Sequence, residues 1–366
     1  MPLSPTHHPS VRRAVRRAVL ALAALVVLAT VLPLLPSDAW WVRVFDYPRL
    51  QIAAVGALVL AAYAAVARGG RAWAHALAGA LALCVGYQAV RIAPYTPVVR
   101  PQVLAAADPQ GATLSLVVAN VLLDNREAER FLGVVRRYDP DLVLVLEPDA
   151  WWERALRPLD ADYPHALKEP LDNTYGMLLY SRLPLEGAET RYLVEPDIPS
   201  MHARVRLAGH LVQLHALHPD PPNPQYATET TERDGELLLV AREVKERGGP
   251  TVVFGDFNDV AWSETTRLFQ ATSGLLDPRV GRGTYSTYHA RWPVLRWPLD
   301  HVFHSDGFVL VRLERGPAFG SDHFPLYAEL AVDPDAEWLQ DAPDPEAEDF
   351  EEADEAIREA GAPESL

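Results

Sequence analysis

The sequence predicts an α/β sandwich of two packed sheets flanked by helices, preceded by three membrane-spanning helices. Three observations predict it. Three long apolar runs open the chain of 366 residues. From Ala112 onward, short β-rich runs alternate with helical patterns. The C-terminal stretch from Asp333 is dense in acid and sparse in apolar side chains.

The apolar runs cover about 14–35, 50–67 and 72–92. Each is long enough to cross a bilayer as a helix, and none holds Asp, Glu or Lys in its interior. Trp40, Trp41, Tyr47 and Trp73 sit near the ends, where amphipathic rings favour the interface. Arg12, Arg13, Arg16 and Arg17 precede the first run, and Arg68 and Arg71 lie between the second and third. By the positive-inside rule these segments face the cytoplasm. Three crossings then place everything after Ile92 outside, as in a multi-pass protein of a plasma or inner membrane with an extracytoplasmic catalytic part. A cleaved signal peptide is the competing reading of the first run, but no small-residue cleavage site follows it cleanly. The membrane region is thus expected over 1–93.

Pro94, Pro97 and Pro101 break the pattern, and 94–111 reads as a linker. Strands are expected at 114–121, 141–146, 176–180, 203–207, 211–217, 251–254, 302–303, 309–313 and 326–331, with helices at 127–137 and 229–247. The folded domain is therefore expected over 112–332. The tail, 333–366, is expected to be disordered, with a transient helix at most near 353–360.

The formal net charge is −16. The tail holds fourteen acids against Arg358, or −13, which leaves the rest of the chain at −3. A nearly neutral body argues against processive nucleic-acid binding. The single cysteine, Cys84, excludes an intramolecular disulfide and a thiolate metal cluster. Any metal must be held by oxygen or imidazole, which favours magnesium, or else manganese.

Several polar residues stand at strand ends. Gly255-Asp256-Phe257-Asn258 follows an apolar strand, and side chains two apart project to one side. Such a pair supplies a carboxylate for a metal or a proton and an amide for a developing charge. The same residues are also turn formers. Gly320-Ser321-Asp322-His323 precedes the last strand, and an Asp can orient a neighbouring ring. Glu147 ends an apolar strand, where an uncompensated carboxylate is costly. Asn120 lies within another. His215 and His218 close a strand before Pro219, and Asp300 enters one. Each feature alone suits a structural hydrogen bond as well as a site. Together they supply the inventory for metal-assisted hydrolysis of a phosphate ester.

In this order the motifs resemble the endonuclease/exonuclease/phosphatase superfamily, the deoxyribonuclease-I-like fold, over roughly 112–332. The resemblance implies a four-layer α/β sandwich of two packed mixed sheets flanked by helices. It implies a Mg2+ or Mn2+ cofactor with Glu147 as principal ligand and Asn120 and Asp322 nearby. It implies that Asp256 orients or deprotonates water, that Asn258 steadies the transition state, and that His323 pairs with Asp300 to stabilise phosphate charge or act as the acid. A strand histidine contacts the phosphate, with His218 slightly favoured over His215; the role of His301 is open. Substrates across the superfamily are nucleic acids, lipid headgroups and small phosphoesters. A nuclease acting on extracytoplasmic DNA or RNA is the alternative reading, as is an inactive membrane-anchored binding module. Arg279, Arg282, Arg291 and Arg296 are further candidates to hold a phosphate, and Trp292 and Trp297 to stack on a base or lie against lipid. Beyond substrate and bilayer, no segment points to an obligate protein partner.

The arginine pattern yields a test of orientation. A reporter enzyme fused after Val332 is expected to be active only outside the cytoplasm. Activity of a cytoplasm-specific reporter at that position would overturn both the three-crossing count and the sidedness.

Overall fold

The computed structural model of the protein describes residues 9–66, 71–106, 112–222, 228–333 and 335–363. It divides into two compact units, Met1–Pro94 and Tyr95–Leu366. Arg68, used above for orientation, lies outside the described residues.

The first unit holds α1 (Pro9–Val31), the one-turn α2 (Trp40–Arg43), α3 (Arg49–Val66) and α4 (Ala72–Ile92). Three segments, Arg13–Leu34, Arg49–Val66 and Ala72–Tyr95, are long and apolar enough to cross a membrane. Their facing stripes bury Val19, Ala23, Val26, Val59, Tyr63 and Leu81 together. One polar cluster joins all three helices. Arg49 donates to Gln88 (3.2 Å) and pairs with Asp46, and Gln88 donates to Thr30 (3.2 Å). Polar groups in such a bundle are satisfied by each other because apolar surroundings offer no partner.

The second unit is built on two mixed sheets. Its strands are β1 (Thr113–Asn120), β2 (Leu142–Leu146), β3 (His165–Glu169), β4 (Met177–Ser181), β5 (Glu186–Arg191), β6 (Ser200–Leu207), β7 (His210–Leu217), β8 (Thr251–Asp256), β9 (Asp300–His304), β10 (Phe308–Arg315) and β11 (Leu326–Val332). The six-stranded sheet runs β10-β11-β1-β2-β4-β3, and the five-stranded sheet β5-β6-β7-β8-β9. Helices α5 (Ala128–Tyr138) and α6 (Ala150–Ala155) cover the first; α7 (Thr231–Arg247), α8 (Glu264–Ser273) and α9 (Ala347–Glu359) cover the second. Between the sheets, Leu116, Val118, Leu144, Leu179, Leu214, Phe254 and Val302 form a continuous apolar core. This is the expected four-layer sandwich.

The strands that periodicity passes over are β3 and β5. Both lie at sheet edges with one neighbour each, and their side chains are half-buried or exposed. An edge strand without a buried face carries no apolar alternation, so its sequence, such as Glu186–Arg191, reads as loop.

Two boundary expectations are corrected. Residues 95–106 are not a free linker. Val103 is fully buried in the inter-sheet core, and Leu104 and Ala106 exchange backbone hydrogen bonds with Leu310 (2.8 and 2.9 Å). Residues 107–111 lie outside the described residues. Nor is the tail disordered over its described part, since α9 packs on α7. Ala353 and Ile357, one helical turn apart, are buried in the apolar cluster that α9 shares with α7 and α8. Arg242 pairs with Asp354, and Arg267 with Asp349 at 3.3 Å. The acids that lower the apolar content of this stretch find their counter-ions on the helices beneath.

Ile357→Ala is therefore expected to cost about 2–4 kcal/mol, the usual range for such a truncation. Deleting 341–366 should lower the melting temperature of the detergent-solubilised chain further. Unchanged unfolding midpoints for both would show that α9 is not part of the stable fold.

Candidate active site

Parallel pairing brings the polar strand ends to one edge of the sandwich. β1 runs parallel to β2, and β7 parallel to β8, so Asn120, Glu147, His218 and Asp256 all emerge at C-terminal ends. β9 and β11 run antiparallel to their neighbours, so their entries reach the same edge. Asp300 thereby pairs in register with Asp256, and Ser321-Asp322-His323 arrives beside Asn120.

The groups are held by short contacts. Asn120 Nδ2 donates to Glu147 Oε1 at 2.7 Å and lies 3.3 Å from Asp256 Oδ2. The Leu123 N–H donates to Glu147 Oε2 (3.2 Å), and the Asn258 N–H to Asp256 Oδ1 (3.0 Å). Ser321 donates to the Asn120 carbonyl (2.7 Å) and accepts from the His323 N–H (3.0 Å). His323 Nδ1 lies 2.9 Å from Asp300 Oδ2, and Nε2 lies 3.6 Å from Asp256 Oδ2. Side-chain atoms of Asp256, Asp300 and His323 all fall within 4.8 Å of one another.

Burial and neighbours set the charges. Burial pushes the Glu147 carboxyl up to about 7, against the Asn120 donor and the His323 charge. Burial also raises Asp256. For His323 burial acts downward, but Asp300 and Asp256 outweigh it and hold the ring up at about 10. The two carboxylates thus favour the protonated ring. Burial lowers His218 to about 4, so this ring stays neutral. Among the described residues, Asp300 Oδ1 and His218 Nδ1 are buried without hydrogen-bond partners. Carboxylates from Glu147, Asp256, Asp300 and Asp322 make an oxygen-rich donor set, which fits a hard divalent ion.

The two strand histidines separate. Three residues apart on and beyond β7, they leave the strand toward different surroundings. His218 lies near Asp256 and 5.8 Å from the Tyr175 ring. His215 does not join the site, which corrects its candidacy. Its Nδ1 is 2.8 Å from that of His202, its cross-strand partner on β6. The nearby Glu243 of α7 is held by Arg191 (3.0 Å) and Arg247 (2.7 Å). His301 also points away, stacking on Phe257 at 4.7 Å and contacting the Asp259 carbonyl at 2.9 Å.

Of the arginine candidates, Arg279 is buried and bound to Asp277 (2.8 Å), and Arg282 reaches the Val103 carbonyl (2.5 Å). The Arg279 guanidinium is thereby taken up by Asp277. Arg291 and Arg296 border the segment 320–324. Tyr288, to which no motif points, has its ring 4.9 Å from that of His323.

With this geometry established, comparison with known proteins is informative. The model of the endonuclease/exonuclease/phosphatase family matches residues 117–323. A UPF0294 protein of Vibrio cholerae is 32% identical over 135 residues, covering 35% of this chain and 43% of that protein. A UPF0294 protein of Vibrio campbellii is 28% identical over 165 residues, covering 45% and 48%. The chain thus spans less than half the length of these curated relatives. Two solved structures share the fold. D. rerio TDP2 complexed with a single-strand DNA product is 18% identical, covers 60% of this chain and 99% of its own, and has a TM-score of 0.50. Truncated Caenorhabditis elegans TDP2 is 15% identical, covers 62% and 100%, and also has a TM-score of 0.50.

Gly255 gives a structural test of the site. Its φ is +151°, and a Cβ there would meet the Leu217 carbonyl oxygen at 1.9 Å. Only glycine allows β8 to lie this close to β7 where Asp256 emerges. Gly255→Ala is expected to destabilise the fold by roughly 3 kcal/mol or more, read as a fall in melting temperature. Wild-type stability would mean that the strands separate without cost.

Proposed function

The chain belongs to the endonuclease/exonuclease/phosphatase family, and on that premise we propose that it is a membrane-anchored, divalent-metal-dependent phosphoesterase. Its catalytic domain is assigned to 112–332, with 95–106 and α9 packed onto it. Water attacks the phosphorus of a phosphodiester or phosphomonoester. The helices of the first unit anchor the chain, and the arginine pattern supports an extracytoplasmic catalytic domain.

The observation that carries this reading is the buried His323 ring set between Asp300 (2.9 Å) and Asp256 (3.6 Å), with the Asn120 amide joining Asp256 to Glu147. Glu147, with Asn120 and Asp322 nearby, would hold the ion, and Mg2+ or Mn2+ would suit the carboxylate oxygens. When bound, the ion supplies Lewis-acid neutralisation of the phosphate oxygens. Asp256, its carboxyl raised by burial, orients the attacking water and accepts its proton. Asn258, fixed by its N–H on Asp256 and its amide on the Pro219 carbonyl (2.9 Å), steadies the charge that develops. Asp300 holds the His323 ring by Nδ1, which leaves Nε2 toward the reacting phosphate as donor or acid. Neutral His218 contacts the phosphate through its ring N–H.

The roles of the two acids separate experimentally. Glu147→Gln keeps the shape but removes ligand charge, so activity should fall and recover in part at high metal. Asp256→Asn removes the group that handles the proton, a loss of roughly a hundredfold or more that excess metal should not restore. The measurement is activity against metal concentration for both variants beside the parent. Full activity of Glu147→Gln at low metal, or complete rescue of Asp256→Asn, would contradict the assignment.

A further inference from the structure

The five-stranded sheet carries a second group of ligating side chains, beside α7. His202 of β6 and His215 of β7 are cross-strand partners, and Glu243 of α7 lies next to them. One ligand atom from each of the three lies within 4.8 Å of the other two. His202 is 4%, His215 2% and Glu243 5% exposed. A pocket of about 360 Å3 reaches both rings from the surface and gives an ion its path; Arg191, Arg204, Gln213 and Arg247 also line it. The side-chain bonds of the three residues run to one another and to Ser200, Arg191 and Arg247, not to the active site.

The hydrogen bonds turn ring lone pairs toward one place. The Arg191 carbonyl can only accept, so the Ser200 hydroxyl, 3.3 Å away, donates to it and accepts from His202 Nε2 at 2.8 Å. His202 Nδ1 then carries a lone pair and faces His215 Nδ1 at 2.8 Å. His215 can answer with a proton, but its Nε2 is then a buried acceptor without a hydrogen-bond partner. Burial pushes both rings below the ordinary histidine range, toward the neutral form that ligates metals. Glu243 Oε1 accepts from Arg191 (3.0 Å) and Arg247 (2.7 Å), and Oε2 from Arg191 (3.0 Å). A carboxylate has about four acceptor positions, so one remains on Oε2. Hydrogen-bonded carboxylates of this kind are ordinary metal ligands. The arginine charge opposes a cation, and Glu189, bonded to Arg191 at 2.6 Å, offsets part of it. That opposition selects an ion with a strong affinity for imidazole.

We propose that His202, His215 and Glu243 form a second metal site, which takes a divalent transition ion of the Zn2+ type and clamps β6 and β7 to α7. Two imidazoles and one carboxylate are a ligand set that zinc accepts, with the fourth position left to water. The nitrogen-rich set here and the oxygen-rich set of the active site select different ions.

The test uses the full chain in detergent, stripped of metal by a chelator and then held in excess Mg2+ so that the active site does not compete for zinc. Zn2+ is added, free ion is removed by gel filtration, and bound zinc is measured by elemental analysis. The parent should retain about one Zn2+ per chain, and its melting temperature should rise by roughly 5 °C or more with zinc at a hundredfold its dissociation constant. His202→Gln and His215→Gln should each lose both the ion and the rise, whereas Glu147→Gln should keep both. The melting transition of each metal-free variant reports whether it folds. If the histidine variants do not fold, Co2+ on the parent in excess Mg2+ decides. Visible ligand-field bands of a four-coordinate, nitrogen-bound ion support the site, and their absence overturns it. A parent that holds no zinc, or zinc kept by both histidine variants, overturns the proposal. So does zinc lost in Glu147→Gln, because the ion then sits in the active site.

Discussion

The site depends on one amide. Asn120 Nδ2 stands between Glu147, carried by the six-stranded sheet, and Asp256, carried by the five-stranded one. Two buried carboxylates facing each other across a sandwich repel unless a donor or a cation lies between them. The amide is that donor, and its orientation is set in turn. The Leu122 N–H holds Asn120 Oδ1 at 3.0 Å, and Ser321 holds its backbone carbonyl. Through this residue the ends of β1, β2, β8 and the approach to β11 are brought into one polar network.

The second constraint is charge balance in a buried place. His323 carries the counter-charge for Asp300 and Asp256, and the acids in turn keep the ring protonated despite its burial. Burial raises the Glu147 carboxyl in spite of its hydrogen-bond donors and the nearby His323 charge. A divalent ion bound there would favour the ionised carboxylate. The surroundings of His218 differ, because burial keeps its ring neutral. Two histidines at one site are thus pushed in opposite directions, His323 upward by the carboxylates that touch it and His218 downward by burial.

The same principle explains the periphery. The acidic tail docks because α7 and α8 present Arg242 and Arg267 beneath it, while Ala353 and Ile357 supply the buried stripe.

Local pattern was enough to read much of this molecule. The three apolar runs, the buried strands β1, β2 and β8 and the helices α5 and α7 follow from periodicity, because each buries a face or a whole element and its composition records that burial. The motifs around Asp256 and His323 were legible because polar residues at the ends of apolar strands are costly without a use. Contacts between distant segments left no such trace. The choice between His215 and His218 turned on which side each ring takes, and two histidines near one strand end look alike in the sequence. The edge strands β3 and β5, the packed segment 95–106 and the docked α9 depend on a neighbour far along the chain. An edge strand or a charged helix acquires its stability from that neighbour, not from its own composition, so three-dimensional assembly alone defined them.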